Sequence, residues 1–480
     1  MVARRRLLGD WSGGDARFAA TASVVTVLLT LAAFQKFGAK GLFFPVLAAL
    51  AIVMLMRPVV AIYTTVLLTL LAEGGDFGLF RFASHIYNHA YKNLTAMDFV
   101  VIIALVSVAI DLVRNRRPVR VPRPLVLPLT FLALGMLAGV VVGHQNGAGI
   151  RTVVLSENAL AFLLLLPIAV TSLDLDRRSI DRLLRAMLLL AGFKAVLGII
   201  EIAAGLGETV EGQTRLTYYE PAPNWLISVA ILTVFAGVVM RIKPPRWMLL
   251  SFPLLFACLL LSYRRSFWIG IVLALLLVLL LGLAPIGRRL LLPASLAVAL
   301  AIWLLSSVHF QAQSPVTRRF TSLDPTSLQA NLEDRYRLDE RANVLGEIKQ
   351  YPIEGLGMTI PWAATTRPLP VEHADGRQYV HFALLWFWLK LGILGLLAYV
   401  SIIIGSMVLA FEVWRRNREG LFRAFGLASL CGIVALVVCD TTASFTGVDE
   451  RFTIVFGVQL GVLGLLARLP ASEPEPLPGE

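Results

Sequence analysis

The sequence predicts an all-α protein, a polytopic transmembrane helical bundle of about 12–14 spans with one long extracytoplasmic helix-containing loop. Three observations predict this class. Of the 480 residues, 57% are hydrophobic and only 15% are charged. Many apolar runs approach the roughly 20 residues with which a helix crosses a bilayer. A single long hydrophilic segment, 307–380, lies late in the chain.

The apolar runs define the predicted spans, and most loops between them are too short to fold alone. We therefore expect one transmembrane domain over 18–467, including the loop 307–380, between a cytoplasmic N-terminal segment, 1–17, and a cytoplasmic tail, 468–480. No small-residue cleavage site follows the basic segment Met1–Arg17, so we expect no cleavable signal peptide. The predicted spans are 18–34, 41–56, 58–72, 97–113, 125–143, 152–171, 186–204, 221–240, 247–261, 266–286, 290–306, 382–411, 421–439 and 451–467.

Basic residues are concentrated in alternate loops. Examples are RNRRPVRVPR at 114–123, DRRSIDRLLR at 176–185 and RRNR at 415–418. Cytoplasmic loops carry this excess of Lys and Arg, so the N-terminus is predicted inside and the loop 307–380 outside. The net charge of +12 then reflects topology and contact with anionic lipid headgroups. Because the charge is scattered over loops, we do not expect nucleic acid as a partner.

Two adjacent cations, Arg264 and Arg265, interrupt the apolar stretch LLLSYRRSFWIGIVLALLLVLLLG at 259–282. The predicted orientation places both outside, where they oppose the topology rule, and Arg215 falls on the same side. Cations beside apolar helices are costly unless they pair or extend to the interface. One interpretation is contact with lipid phosphates, and the other is a binding site for an anionic ligand.

The outer loop is predicted to contain a helix over 331–350, NLEDRYRLDERANVLGEIKQ, which Pro352 ends. Arg337 and Arg341 lie four residues apart and share a face of this helix. The loop ends at His381, where the next span begins. Apolar residues at helical spacing give this helix an apolar stripe made of Leu338, Ala342, Leu345 and Ile348.

Other polar groups give weaker signals. The sequence EHAD at 372–375 with His381 could form a metal cluster, but its spacing matches no defined site, so no metal is assigned. Lys194 and Glu201 share a face of one predicted span and are interpreted as a structural pair within the bundle, with a transport path as the alternative. The three cysteines show no spacing typical of metal binding or of disulfides.

Four segments, taken in order, resemble the O-antigen ligase and Wzy-type polysaccharide polymerase superfamily of membrane glycosyltransferases, which has a GT-C-like fold. They are RLTYYEPAPN at 215–224, LSYRRSFWIG at 261–270, RLDERANVLGEIKQYPIEGLG at 337–357 and HFALLWFWLKLGILG at 381–395. The plan of many spans, one late outer loop and a few spans after it is also similar. The family pattern is not kept at Ala222, Arg341 and Phe382.

The resemblance implies an enzyme that transfers a glycan from a polyprenyl-diphosphate-linked donor to a sugar hydroxyl of a glycan or lipid-glycan acceptor. It also implies a multi-pass location in the bacterial plasma (inner) membrane, with the active site facing the periplasm. His381 would be the general base of an inverting displacement. The arginines would bind the diphosphate bidentately and stabilise it as it leaves, without a metal or other cofactor. The expected diphosphate ligands are Arg215, Arg265, Arg337, Arg264 and Arg341.

A competing interpretation is a transporter or flippase for lipid-linked glycans. It explains the many spans and the intramembrane charges, but it does not explain a long outer loop with a helix and a terminal histidine. Transporters often contain internal repeats, and the two halves of this sequence do not resemble each other. His381 could alternatively be a hydrogen-bonded residue at the start of a helix. No feature separates a ligase from a polymerase.

Overall fold

The protein is described here by a computed structural model. The structure describes residues 43–71, 89–91, 94–156, 158–206, 208–210, 213–215, 221–242, 246–262, 264–283, 332–370, 377–417 and 420–470. The predicted spans 18–34 and 290–306, the segment 1–17 and the tail after residue 470 lie outside these ranges. So do residues 307–331 of the outer loop.

The described residues are mostly helical, which confirms the all-α prediction; the strands among them form only two short antiparallel pairs, β1–β2 and β3–β4. The elements in chain order are α1 (Phe43–Met56), α2 (Pro58–Leu71), β1 (His89–Tyr91), β2 (Leu94–Thr95), α3 (Ala96–Arg114), α4 (Val126–Gln145), α5 (Ile150–Leu155), α6 (Asn158–Ser172), α7 (Arg177–Ala203), β3 (Glu208–Val210), β4 (Gln213–Arg215), α8 (Pro221–Val239), α9 (Arg246–Leu261), α10 (Arg265–Gly282), α11 (Leu332–Gln350), α12 (Ala383–Arg416), α13 (Gly420–Asp440) and α14 (Glu450–Arg468).

Eight helices of the described chain are long and apolar enough to cross a membrane, so this is a multi-pass membrane protein. Most predicted spans match helices within a few residues. Two differ: the predicted span 152–171 is divided into α5 and α6, and α7 begins at Arg177 rather than near residue 186. Helix α7 starts early because the Asp176 side chain accepts a hydrogen bond from the Ser179 amide and caps it.

The centre of the bundle is built from α8, α13 and α14, in which 83%, 72% and 89% of the residues in the membrane-spanning segment are buried. A hydrogen-bonded chain joins all three. The indole Nε1 of Trp225 donates to Gln459 Oε1 at 2.7 Å, and Gln459 Nε2 donates to Ser429 Oγ at 3.0 Å. Helix α14 packs closely on α6 through small residues, as at Gly461. Such close packing and interhelical hydrogen bonds replace the hydrophobic effect inside a bilayer.

Segments that the sequence places on one side of the membrane lie at the same end of the structure. At the predicted outer end, the Asn146 side chain donates to the carbonyl of Leu356 at 2.9 Å. At the other end, the Arg120 amide donates to Ser172 Oγ at 2.9 Å. The contacts therefore support the predicted alternation of the helices.

The turn after α11, residues 352–357, docks into a break in α12. Gly392 interrupts that helix with φ 64° and ψ −155°. The Leu356 amide donates to the Leu389 carbonyl at 2.7 Å, and the Ile393 amide donates to the Ile353 carbonyl at 2.9 Å. These bonds satisfy backbone groups that the break exposes, and they fix the turn against the membrane domain.

We expect Gly357→Ala to destabilise this turn. Gly357 has φ +84°, and an added Cβ would lie 2.2 Å from the Gly143 nitrogen. The left-handed backbone and the clash together should cost about 2 kcal/mol or more, measured as a lower melting temperature of the purified protein. Gly192→Ala is the control. Gly192 lies inside a helix, where alanine is favoured, and its added Cβ would have no heavy atom of another segment nearer than 4.0 Å. Equal melting temperatures for the two variants would contradict this reasoning.

Candidate functional site

Helix α11 turns a polar face towards the bundle. Glu340 and Asn343 are fully buried, and so are Val344 and, almost completely, Tyr336. The apolar stripe that indicated this helix is not its buried face: Leu338 is 44% exposed and Leu345 is 42% exposed, whereas Ile348 is deeply buried. Buried polar groups need partners. Those of Asp334 and Glu340 lie on α10 and at the start of α12, and Asn343 bonds to the backbone of Thr366 and Arg367.

His381 is held by Glu340 at the start of α12. Its Nδ1 lies 3.1 Å from both carboxylate oxygens, and its backbone N–H donates to Glu340 Oε2 at 2.9 Å. The imidazole also meets the rings of Tyr379 and Tyr336 edge-on, with centroids 4.8 and 5.9 Å apart. A carboxylate at Nδ1 favours the tautomer in which Nδ1 carries the proton and Nε2 carries the lone pair.

Arg265 is paired with α11 through Asp334. Its Nη2 lies 2.9 Å from both carboxylate oxygens of Asp334, and the two side chains are 15% and 9% exposed. Arg337 approaches the same carboxylate, with Nη1 at 3.6 Å from Oδ1, and is 30% exposed. One carboxylate therefore positions two guanidinium groups at the surface of the site.

The three residues of α11 that organise the site recur every three positions: Asp334, Arg337 and Glu340. They share one face and cover about 9 Å of the helix axis. Arg265 is held at one end of this row and His381 at the other, with Arg337 between them. The structure thus brings together three of the predicted site residues, Arg265, Arg337 and His381, through two carboxylates.

Arg341 and Arg264 instead contact the loop between α13 and α14, residues 441–449. Arg341 donates to the carbonyl of Thr441, and its guanidinium lies 5.0 Å from the centroid of the Phe382 ring. Burial lowers the pKa of Arg341, and Arg337 lowers it further, while Glu340 opposes the change. Arg264 lies 5.5 Å from the centroid of the Phe445 ring.

The same loop supports the segment before His381. The Tyr379 hydroxyl accepts a hydrogen bond from the Ser444 amide at 2.9 Å. Burial raises the pKa of this hydroxyl, which therefore stays protonated. Burial also raises the pKa of Asp449, and the positive charge of Arg264 partly opposes this. The loop 441–449 thus holds the segment that leads to His381, and Arg264 and Arg341 contact the same loop.

Arg215 is the last residue of β4, which pairs with β3 in a hairpin just before α8. Its side chain lies outside the described residues. The alternative metal cluster at 372–375 also lies outside them. Lys194 and Glu201 are both buried on α7, as expected for charges that face the interior of a bundle.

Sequence reasoning missed Glu340 and Asp334. A signal was present, because each lies three residues from Arg337 on a predicted helix and so shares its face. That signal does not distinguish them from the other acidic residues of the helix. Only the fold shows that their partners lie 41 and 69 positions away in the chain.

In a comparison with protein families, the family model described as O-Antigen ligase matches residues 249–400. The match includes Arg264, Arg265, Arg337, Arg341 and His381, and it stops short of Arg215. It confirms the resemblance predicted from the sequence over this part of the chain. No curated protein matches the chain.

Proposed function

We propose that this protein belongs to the O-antigen ligase family, a transferase family whose model matches residues 249–400, and that it is a glycosyltransferase. Its donor would be a polyprenyl-diphosphate-linked glycan and its acceptor a sugar hydroxyl. The proposal rests above all on Arg265, Arg337 and His381, which are brought together along one face of α11. These residues combine cations for a diphosphate with a base for a hydroxyl. The predicted orientation puts them on the outer side of the plasma membrane.

We assign the diphosphate to Arg265 and Arg337. Guanidinium groups bind phosphate oxygens in a bidentate manner. Both are held in advance by Asp334, so little reorganisation is needed as negative charge develops on the leaving diphosphate, and such fixed charges stabilise a transition state. Arg215 completes the cation set on family resemblance. Arg264 and Arg341 are assigned to the support of this site through the loop 441–449.

We assign the general base to His381. The Glu340 carboxylate at Nδ1 leaves Nε2 to accept the proton of the acceptor hydroxyl. The hydroxyl oxygen then bonds to the anomeric carbon as the bond to the diphosphate oxygen breaks. Because His381 is held at one end of the row and Arg265 at the other, attack opposite the leaving group is favoured, which would invert the anomeric configuration.

A deletion strain tests this proposal. Loss of long glycan chains from lipid A-core would indicate a ligase, and products with a single repeat would indicate a polymerase. The purified protein should in addition transfer glycan from a polyprenyl-diphosphate donor in detergent, where transport cannot occur because there is no membrane with two sides. Unchanged surface glycans together with an inactive purified protein would contradict the proposal, and donor accumulating in the inner leaflet would favour a flippase.

A further inference from the structure

A basic pocket lies at the end of the bundle opposite to His381. It has a volume of about 740 Å³ and lies between the first turns of α7 and of α13. The residues lining it are Arg177, Arg178, Asp181, Arg182, Arg185, Gly420, Leu421 and Phe422. Helix α13 begins at this pocket and runs about 30 Å to Asp440, next to the Thr441 carbonyl that Arg341 contacts.

The pocket lies at the depth of lipid headgroups. Helix α7 has 27 residues, about 40 Å, whereas the hydrocarbon core is about 30 Å thick. Its apolar part begins near Ala186 and continues to Ala203. The turns that carry the arginines therefore extend beyond the hydrocarbon region, on the side that the Lys and Arg bias assigns to the cytoplasm.

The charge of the pocket is strongly positive. Asp181 is the only acidic residue among those described as lining it, and it pairs with Arg185, whose Nε lies 2.6 Å from Oδ2. Arg182 donates to Ser179 Oγ at 3.1 Å, a neutral partner. Because Asp181 is paired with Arg185, the lining keeps an excess of three positive charges, those of Arg177, Arg178 and Arg182. Such an excess suits a ligand with more than one negative charge.

The other wall of the pocket is apolar. Leu421 and Phe422 belong to α13, and the Arg177 guanidinium lies 5.5 Å from the centroid of the Phe422 ring. A topology signal needs only basic residues somewhere in the loop. It does not need them gathered around a cavity with an apolar wall. The combination suits an amphiphile whose phosphates meet arginine while its acyl chains meet Leu421 and Phe422.

We propose that this pocket binds the headgroup of an anionic membrane phospholipid, and that a lipid with two phosphates, such as cardiolipin, binds more tightly than one with a single phosphate. This site is independent of the proposed glycosyl transfer. It would anchor α7 and α13 to the inner leaflet, at the opposite end of α13 from the loop 441–449.

Native mass spectrometry of the purified full-length protein tests the proposal, with cardiolipin, phosphatidylglycerol, phosphatidylethanolamine and inorganic phosphate as probes. The double variant Arg178→Gln/Arg182→Gln should lower cardiolipin affinity about tenfold or more, because it removes two of the three arginines in excess over the acidic charge of the pocket. Arg116→Gln is the matched control: it is an exposed basic residue at the same predicted face but outside the pocket.

Support would be a preference for cardiolipin over phosphatidylglycerol and phosphatidylethanolamine that the double variant loses and the control keeps. Equal binding by the wild type and the double variant would overturn the site. Binding of inorganic phosphate as tight as that of cardiolipin would overturn the lipid assignment. Melting temperatures of all variants, measured without added lipid, should agree with that of the wild type. If the double variant unfolds, the milder Arg178→Lys/Arg182→Lys variant should still show weaker cardiolipin binding. Unchanged cardiolipin binding by this milder variant would count against the proposal.

Discussion

His381→Ala should lower glycan transfer by about two to four orders of magnitude while donor binding survives. The substitution removes the Nε2 lone pair that accepts the hydroxyl proton, but it leaves Arg265 and Arg337 in place beside Asp334. Single-turnover transfer by purified protein gives the rate, and binding of a lipid diphosphate without its glycan gives the donor affinity.

Glu340→Gln provides the matched comparison for His381. The fully buried Glu340 contacts His381 and is proposed to act through it, as a positioning residue. The variant should be slower than the wild type, with an altered pH profile and unchanged donor affinity. Adding it to His381→Ala should cause no further loss, because groups that act as one unit are not additive.

Two results would count against this assignment. An active His381→Ala protein would make the histidine a hydrogen-bonded residue at the start of α12. A variant whose donor affinity collapses together with its rate would move His381 from proton transfer to diphosphate binding. A double variant much slower than His381→Ala would show that Glu340 acts independently of the histidine.

Hydropathy predicted the helices well because crossing a bilayer imposes length and apolarity on each span. The helix of the outer loop was also predicted closely, at 331–350 against Leu332–Gln350, because Pro352 cannot continue it. Helix ends set by capping were less predictable. Asp176 starts α7 within a loop whose basic residues had suggested only a cytoplasmic connection.

The buried face of α11 shows what sequence periodicity could not predict. The apolar stripe indicated a helix, but its members Leu338 and Leu345 are exposed. The helix packs over Arg265 and the start of α12, which offer a guanidinium and a backbone N–H to Asp334 and Glu340. A buried polar face is stable only where such partners exist, and the partners come from distant parts of the chain. The sequence thus singled out the arginines and the histidine as candidates, but not the carboxylates that hold them.

Arg265→Ala should lower the rate of glycan transfer by about 10²–10³-fold or more, because it removes a fixed cation that stabilises the leaving diphosphate. Arg265→Lys keeps the charge but loses the planar fork, so an intermediate rate is expected. The single alanine variant has a second consequence. It leaves Asp334, which is 9% exposed, without its main partner, and breaking a buried ion pair costs about 3–5 kcal/mol.

The double variant Arg265→Ala/Asp334→Ala separates these two effects. With both charges removed, the melting temperature should recover relative to Arg265→Ala, because no buried carboxylate is left without its cation. Transfer and lipid-diphosphate binding should stay low, since the cation is still missing. If the double variant instead transfers glycan near the wild-type rate, Arg265 serves only to hold α11 on the bundle through Asp334. The diphosphate would then be bound by other cations, with Arg337 the first to test because it lies beside the same carboxylate.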